Sequence, residues 1–286
     1  MPELPEVETV VSLLCQCLVG ERVAGVEVRW AGSIATPIAP EFARELLGRE
    51  VLDVGRRGKF VVISLSGAKT LLVHLRMTGQ LLVDSPCPPG ERALPDAYTR
   101  VVVRLESGRA LTFRDTRKFG RLYLVDDPQA VVGHLGPEPL AEGFTARQLL
   151  DLLHARPKRL KPLLTDQRTL AGLGNIYVDE ALWEAGLHPL RKAHTLSAEE
   201  AGRLHEAIRK VLEGAIANMG TTLRDYRTPR DEPGTNQGAL RVYGRRGEPC
   251  PRCGGTIQRQ VVGGRGTYVC PACQPPPGQE TAQEER

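Results

Sequence analysis

The first residues of the chain could carry nucleophilic chemistry at an amine. The chain begins MPELPEVETV, so removal of the initiator methionine, which a small second residue permits, would make Pro2 a terminal secondary amine. An α-amino group has a pKa of about 7.7–8.0, against about 10.4 for lysine, and is therefore partly unprotonated at neutral pH. Its attack on a sugar carbon gives a cationic iminium, which acidifies the neighbouring carbon and permits elimination.

Two carboxylates stand beside this amine. Glu3 directly follows Pro2, and Glu6 lies on the same helical face at i+3. One carboxyl could act as a general acid toward the sugar while the other holds the amine or the substrate. A purely structural interpretation is also open, because proline suits the first helical turn and carboxylates complement the helix dipole there.

A metal site is predicted in the last part of the chain. Four of the seven cysteines form two C-x₂-C pairs separated by sixteen residues: Cys250, Cys253, Cys270 and Cys273. This spacing is typical of a tetrahedral Cys₄ site in which each pair turns both thiolates toward one ion. The residues between the pairs predict a β-hairpin with its turn near Gly263 and Gly264. The sequence therefore predicts a zinc ribbon with one structural Zn²⁺.

The elements that must position these groups predict an α+β fold. Apolar residues at helical spacing from Val7 to Leu18 indicate an amphipathic helix. Short strand-like runs from Arg22 to Val125 indicate an N-terminal β-sandwich or barrel-like domain. Helical patterns follow, one opened by a Ser197–Glu200 capping box. The predicted boundaries are 1–132 for the β-sandwich with its amino-terminal helix, 133–144 for a linker, 145–238 for a helical domain, 239–273 for the ribbon and 274–286 for a disordered tail.

Composition limits the class of protein and its partners. With 41% hydrophobic and 25% charged residues, the chain is neither disordered nor fibrous over most of its length. No apolar run reaches the roughly 18 residues of a membrane span, and no secretory signal precedes the first helix, so we expect a cytoplasmic protein. The net charge is +4, and basic residues cluster within 156–161 and 241–265. Such clusters indicate either a polyanionic partner or a solvated face.

Seven separated motifs together resemble the bacterial formamidopyrimidine-DNA glycosylase family. They occur in the family's order over residues 2–273: MPELPEVET, RRGKF, HLRMTG, DTRKFG, LGPEPL, GLGNIYVDEALW and VYGRRGEPCPRCG. The resemblance implies a bifunctional glycosylase and lyase that excises oxidised purines, such as 8-oxoguanine and formamidopyrimidines, and cleaves the strand by β- and δ-elimination. It further implies a helix-two-turns-helix motif, double-stranded DNA with oxidised bases or abasic sites as partner, and nucleoid-associated activity. Nothing in the sequence suggests an oligomer, so we expect a monomer.

The resemblance also assigns catalytic roles to individual residues. Pro2 is implied to be the Schiff-base nucleophile and Glu3 the proton donor. Lys59 is implied to act in β-elimination and phosphate contact, although by itself it reads as a surface lysine. Arg265 in the ribbon is implied to grip phosphates and to act in δ-elimination.

A base inside a duplex must be flipped out before it is excised, and the gap must be filled. The resemblance implies that Met77, Arg117 and Phe119 fill it, whereas alone Met77 reads as core and Phe119 as a hairpin anchor. By itself Asn175 reads as a plain N-cap, and the resemblance implies that it binds backbone phosphate at a helix N-terminus; the two roles are compatible. The remaining implied DNA contacts are His74, Tyr98, Arg156 and Lys161. Six phosphate contacts would give a log–log salt slope of about −5.

Two departures from the family pattern and two rival functions bear on this reading. Lys118 stands where the family commonly has a second arginine, and the loop 233–240 lacks an aromatic residue that is common there. The lesion preference is therefore left open.

One rival function is that of an endonuclease VIII-like enzyme for oxidised pyrimidines, against which PELPEVET and DTRKFG argue. The other is a non-catalytic zinc-ribbon DNA-binding protein, which would have no use for a free proline amine.

Overall fold

The chain forms two compact units in the computed structural model, which describes residues 2–84 and 95–277. Unit 1 comprises Met1–His134 and Ala215–Gln237, and unit 2 comprises Leu135–Gly214 and Gly238–Arg286. The segment 215–237 therefore belongs with the β-sandwich, whereas the sequence placed it in the helical domain. Most of the expected linker, residues 133–144, also belongs to a compact unit, because unit 2 begins at Leu135. Its backbone is bonded within that unit, where Gly136 N donates to Gln167 O (2.9 Å).

Unit 1 is an antiparallel β-sandwich with helices. Its helices are α1 (Leu4–Leu18), α2 (Ala39–Leu46) and α3 (Gln129–Val132). Its strands are β1 (Val23–Val28), β2 (Ile34–Thr36), β3 (Val51–Arg57), β4 (Phe60–Leu65), β5 (Lys69–His74), β6 (Gly79–Val83), β7 (Thr99–Leu105), β8 (Ala110–Asp115) and β9 (Arg121–Val125).

The strands form two sheets around one apolar core. One sheet has the order β1-β7-β8-β6 and the other β2-β9-β5-β4-β3, and among the described strands of these sheets only the β2–β9 pair is parallel. Val61 and Val73 of one sheet and Phe113 of the other are at most 1% exposed. The helical spacing seen in the sequence buries Val7 and Leu14 of α1 in the same core. The predicted α+β fold with an N-terminal sandwich is confirmed.

Unit 2 is helical and ends in a two-stranded hairpin. Its elements are α4 (Ala146–His154), α5 (Leu160–Leu164), α6 (Asn175–Ala185), α7 (Ala198–Ala217, whose last three residues count with unit 1), β10 (Gln258–Val262) and β11 (Arg265–Val269). The capping box of α7 is present, since Ser197 N donates to Glu200 Oε2 (2.8 Å) and Glu200 N to Ser197 Oγ (3.2 Å). Gly263 and Gly264 both have positive φ, as the predicted hairpin turn requires.

The ordered ribbon extends past its last cysteine. Gln274 is fully buried, its Oε1 accepts from Cys270 N (3.1 Å) and its Nε2 donates to Leu187 O (2.9 Å). The predicted start of a disordered tail at Gln274 is therefore too early, because composition does not show these bonds. Cys87, one of the three cysteines outside the ribbon, and residues 278–286 of the expected tail lie outside the described residues. Within the described part of the chain, no helix is both long and apolar enough to cross a membrane.

Candidate functional site

The amino-terminal end of α1 is held by one buried carboxylate. Glu6 is 1% exposed; its Oε2 accepts from Glu3 N (2.7 Å), and its Oε1 accepts from Thr221 N (2.7 Å). Both oxygens are thus engaged by backbone N–H groups, which hold the carboxylate in one orientation. Pro2 and Glu3, the latter 3% exposed, are buried beside it. Of the two roles open for the carboxylates, Glu6 fits the holding role and not the proton-donor role.

Lys59 lies in the tight turn between β3 and β4. It is 5% exposed, so the surface-lysine reading is wrong. The turn is tied to α1 through Arg56, whose Nε is 2.6 Å from Glu8 Oε2 and whose Nη1 donates to Gly58 O (3.0 Å). Phe60, the next residue, pairs with His74 across the sheet, which brings Lys59 close to that imidazole.

His74 is nearly buried in unit 1, and its tautomer is set by its neighbour. Its Nδ1 accepts from Arg76 N (3.0 Å), so Nε2 carries the proton and can donate to an anion. Burial, followed by the positive charges of Arg76 and Lys59, lowers the pKa of His74 to about 3. His74 is therefore a neutral donor at physiological pH, which suits the predicted phosphate contact.

We expect His74 to remain uncharged well below pH 6.5. The unfolded chain takes up a proton at this imidazole near pH 6.5 and the folded chain only near 3, so stability contributed at this position is lost as the pH falls through that window. A two-dimensional NMR titration of the imidazole, assigned with a His74→Gln variant, measures the folded pKa. A midpoint near 6.5 would contradict the prediction.

Two adjacent loops present exposed side chains suited to filling a gap in a base stack. Met77 and Phe119 are 42% and 47% exposed, so the readings as core methionine and hairpin anchor are wrong. The Arg117 guanidinium lies 4.6 Å from the centre of the Phe119 ring. Arg117 N donates to Thr78 Oγ1 (3.3 Å), which joins the two loops.

Asp115 organises the loop that carries Arg117 and Phe119, and sequence analysis missed it. It is fully buried; its Oδ1 accepts from Arg117 N (3.1 Å) and its Oδ2 from Gly120 N (2.7 Å). The aspartate at the start of a turn-like DTRKFG stretch is the signal that could have found it. Lys118, which stands where the family commonly has a second arginine, places its ammonium 4.0 Å from the centre of the Trp30 ring.

Tyr98 lies on the surface of the same unit. Its side chain is 45% exposed, and the Arg114 guanidinium stacks 4.9 Å from the ring centre. An exposed, cation-supported ring is compatible with the implied DNA contact.

The four ribbon cysteines converge in unit 2. All their sulfurs lie within 4.8 Å of one another, with Cys250 and Cys273 at 3.8 Å and Cys253 and Cys270 at 3.4 Å. Thiolates bound to one tetrahedral Zn²⁺ at about 2.3 Å lie about 3.8 Å apart, so the set fits a structural metal. Trp183 Nε1 donates to Cys250 Sγ (3.4 Å), a contact that orients the ligand.

Asn175 is the first residue of α6 and connects it to the hairpin. Its Nδ2 donates to Gly266 O (3.0 Å), and the N-cap is Gly174, so the plain N-cap reading is wrong. Its Oδ1 is buried without a hydrogen-bond partner among the described residues. Arg265 is exposed and directly precedes Gly266, so the structure brings Asn175 and Arg265 together.

Lys161 does not lie where a phosphate could reach it. It is 1% exposed, its Nζ is 2.6 Å from Asp179 Oδ1, and it donates to Gly266 O (3.1 Å). Asp179 Oδ2 accepts from Tyr268 N (3.0 Å), so the pair fastens the hairpin to α6. The expected phosphate contact of Lys161 is therefore corrected. A basic cluster in the sequence does not show which of its members faces the interior.

Arg156, from the same basic cluster, stays accessible. Its side chain is 42% exposed, and its Nη1 donates to Thr169 Oγ1 (2.6 Å). Phosphate contact remains compatible with this position.

Replacing Lys161 with methionine should destabilise the protein because it leaves the Asp179 carboxylate buried and unpaired. Breaking such a pair costs about 3–5 kcal/mol. Urea unfolding of Lys161→Met, Asp179→Asn and the double variant measures this free energy, and the double variant should recover part of the loss. The salt slope of DNA binding should not change. A shallower slope without a loss of stability would restore the phosphate-contact role.

A second buried acid on α6, also missed from the sequence, holds the segment that enters the ribbon. Glu180 is 4% exposed and accepts from the backbone N of Arg241 (2.8 Å), Val242 (3.0 Å) and Tyr243 (2.8 Å). Together with Asp179, it makes α6 the base on which the ribbon rests.

Three family models match the chain in succession. They are the formamidopyrimidine-DNA glycosylase N-terminal domain over residues 1–122, its H2TH domain over 135–227, and a zinc finger found in FPG and IleRS over 247–276. The middle match confirms the helix-two-turns-helix expectation, and the last one confirms the ribbon. A sandwich, an H2TH domain and a Cys₄ ribbon together define the class of DNA-repair glycosylases.

Individual relatives agree over almost the whole length. A formamidopyrimidine-DNA glycosylase of Roseiflexus sp. (strain RS-1) is 48% identical, covering 96% of this chain and all of the relative, and one of Chloroflexus aurantiacus is 46% identical, covering 96% and 98%. The crystal structure of MutM (Fpg) from Thermus thermophilus is 43% identical with a TM-score of 0.84, covering 96% and 98%. A Lactococcus lactis Fpg complex with abasic-site DNA is 34% identical with a TM-score of 0.86, covering 96% and 100%.

The chain belongs to the formamidopyrimidine-DNA glycosylase family, whose members are DNA glycosylases and abasic-site lyases.

Proposed function

We propose that this protein excises oxidised purines, 8-oxoguanine and formamidopyrimidines, from double-stranded DNA and cleaves the resulting abasic strand by β- and δ-elimination. It acts as a monomer on nucleoid DNA. The observation that carries the proposal is the Glu6 carboxylate, which binds Glu3 N and fixes the residue next to Pro2 at the buried start of α1. Holding Glu3 in one position keeps its carboxyl and the neighbouring Pro2 amine aligned for reaction with one substrate atom.

The first step belongs to Pro2 and Glu3. Glu3 gives a proton to the deoxyribose as its ring opens, the Pro2 nitrogen attacks C1′, and the bond from C1′ to the base breaks with its electron pair leaving on the base. The departing base takes up the proton that the amine loses, and the opened sugar remains bound to Pro2 as a cationic iminium. Glu6 acts here only by holding Glu3.

The iminium then drives strand cleavage. It acidifies the C2′ proton, whose removal expels the 3′ phosphate oxygen in β-elimination, and a second elimination expels the 5′ phosphate oxygen. Lys59, buried at the β3–β4 turn beside His74, assists the first elimination, and Arg265, exposed on the hairpin, assists the second. A cation next to a leaving phosphate stabilises the charge that develops on it.

DNA binding uses groups from each unit. In unit 1, His74 donates to phosphate, Met77 and Phe119 enter the gap, Arg117 bonds the orphaned base, and Tyr98 contacts the duplex. In unit 2, Asn175, Arg156 and Arg265 contact phosphates. Lys161 is no longer among the expected phosphate contacts. With one contact fewer, the slope of log K for DNA binding against log salt concentration becomes shallower by about 0.9.

The ribbon cysteines hold one structural Zn²⁺. Four converging sulfurs, one of them bonded by the Trp183 indole, match the donor set of a closed structural site. The bound ion supplies folding energy to the ribbon, and no step of the reaction passes through it.

Borohydride trapping tests the proposal. The protein and a Pro2→Gly variant are incubated with a duplex carrying one 8-oxoguanine opposite cytosine, with an oxidised-pyrimidine duplex and with an abasic duplex. Peptide mass spectrometry then locates the adduct. We expect reduced adduct at Pro2 with the 8-oxoguanine and abasic duplexes. Preference for the pyrimidine lesion would favour an endonuclease VIII-like specificity, and binding without any adduct would favour the non-catalytic DNA-binding protein.

A further inference from the structure

A cation at the centre of the loop of residues 115–120, the gap-filling loop, contacts a ring outside that loop. Lys118 lies between Arg117 and Phe119 in the sequence. The Arg117 guanidinium rests 4.6 Å from the centre of the Phe119 ring, whereas the ammonium of Lys118 lies 4.0 Å from the centre of the Trp30 ring. Both distances are within the range of a cation–π contact. Lys118 therefore joins the gap-filling loop to a neighbouring part of unit 1.

The backbone at Lys118 has a conformation that must be held by its surroundings. Its φ is +60°, in the left-handed region that residues with a Cβ rarely adopt. Arg121 Nη1 donates to Lys118 O (3.1 Å) and to Gly120 O (2.9 Å), which holds this part of the loop from one side. Such a conformation persists only where several contacts determine it together. The contact of the lysine side chain with Trp30 is one of them.

Trp30 is itself held in place while its ring stays accessible. It directly precedes the short turn Ala31–Ser33, and its backbone O accepts from Ser33 N (3.0 Å) while its N donates to Arg100 O (3.2 Å). The indole is folded back over Gly32, where an added Cβ would lie 2.8 Å from the indole Nε1. The residue is still 40% exposed. The ring is therefore a fixed support that a cation can reach.

The ring and the gap-filling loop are bonded to the same buried arginine. Arg100 is 8% exposed; its backbone O accepts from Trp30 N, and its Nε donates to Asp115 O (2.8 Å). Asp115 in turn accepts from Arg117 N at its Oδ1 (3.1 Å). These bonds fix the distance between the ring and the start of the loop. The side chain of Lys118 closes the remaining side of this arrangement.

We propose that Trp30 is a positioning residue that holds the Lys118 ammonium and thereby keeps the side chains on either side of Lys118 in place to fill the gap left by an extruded nucleotide. The inference rests on the proposed function, in which Arg117 and Phe119 act at that gap. A loop already held in its binding conformation loses less conformational freedom on binding, so it binds more tightly. An intact duplex has no gap to fill, so the contact strengthens binding to damaged sites only.

The alternative role for Lys118 is direct contact with a DNA phosphate. Such a contact favours damaged and intact duplexes equally, because both carry the same backbone charge. It also adds about 0.9 to the slope of log K against log salt concentration. A lysine held on the Trp30 ring changes the preference for damaged DNA and leaves that slope as it is. Preference and slope, measured together, therefore distinguish the two roles.

The test measures the affinity of the full-length protein for two duplexes by fluorescence anisotropy at several salt concentrations. One duplex carries a tetrahydrofuran residue as an uncleavable abasic analogue, and the other is intact. Trp30→Leu and Lys118→Met should each lower the preference for the abasic analogue by about 2- to 5-fold, the value of a cation–π contact at an exposed site, with the salt slope unchanged. The double variant should lose no more than the single ones, because both changes remove one contact. The controls are Leu47→Ala and Lys210→Met, at exposed positions of each unit.

Conservative variants and a separate reaction complete the test. Trp30→Tyr and Lys118→Arg keep a ring and a cation, so they should retain most of the preference, and thermal unfolding checks that every variant is folded. Lys118→Met carries the test if Trp30→Leu is not folded. An unchanged preference in Trp30→Leu, additive losses in the double variant, or a slope shallower by about 0.9 in Lys118→Met would each overturn the inference. Absence of any borohydride adduct between the wild type and abasic DNA would instead refute the proposed function, so the two failures are distinguishable.

Discussion

Replacing Glu3 with glutamine should stop base excision while leaving strand cleavage at a preformed abasic site. The amide keeps the size of the side chain but has no acidic proton to give to the sugar. Loss of a general acid costs about 10²- to 10⁴-fold in rate. The abasic sugar has already lost its base, so Pro2 can form the iminium without that proton. Single-turnover excision and abasic trapping, measured side by side, give the two rates.

The same measurements separate Glu3 from its neighbour. Glu206→Gln, on an exposed position of α7, is the control for the chemical change alone. Glu6→Gln should lower both rates, because one of its oxygens becomes an N–H donor that opposes Glu3 N or Thr221 N. If Glu3→Gln lowered both rates equally, Glu3 would act by positioning Pro2 and the proton would come from elsewhere.

Local signals predicted the elements of the fold and the metal ligands. The spacing from Val7 to Leu18 predicted α1, the paired glycines 263 and 264 predicted the ribbon turn, and the C-x₂-C pairs predicted a cluster that the structure assembles. Each of these signals is complete within a short stretch of chain, because helix periodicity, turn conformation and knuckle geometry are local properties.

Contacts across the chain could not be predicted in this way. Glu6 and Thr221 are 215 residues apart, and nothing in either local sequence announces their bond. The segment 215–237 was assigned to the helical domain because α7 runs across the boundary between the units without a break. Burial is equally invisible: Lys161 and Arg156 belong to one basic cluster, yet only Lys161 faces a buried carboxylate.

Removing the ribbon metal should abolish tight DNA binding and strand cleavage while leaving unit 1 folded. The hydrophobic cluster around the cysteines is small, with Trp183, Val242 and Ile257 as its other buried members, so the four sulfurs supply much of the ribbon's cohesion. The ribbon carries Arg265 and the Gly266 carbonyl that binds Asn175. The two side chains proposed to contact phosphate, Arg265 and Asn175, would therefore lose their positions together. Cys270→Ser should therefore release zinc and weaken binding, whereas Cys15→Ser, at an exposed thiol outside the ribbon, should do neither.

Three measurements separate the consequences. Atomic absorption measures the loss of zinc, fluorescence anisotropy the loss of DNA affinity, and circular dichroism how much of the protein stays folded. Structural zinc sites contribute about 10–16 kcal/mol of apparent binding free energy at neutral pH, so loss of the ion should unfold the ribbon outright. Asp179 of α6 fastens the hairpin and Glu180 fastens the segment that enters the ribbon, so the loss should spread to the first turn of α6 and weaken the Asn175 contact as well. Retained DNA affinity in a zinc-free Cys270→Ser protein would show that these buried acids alone keep the ribbon in place.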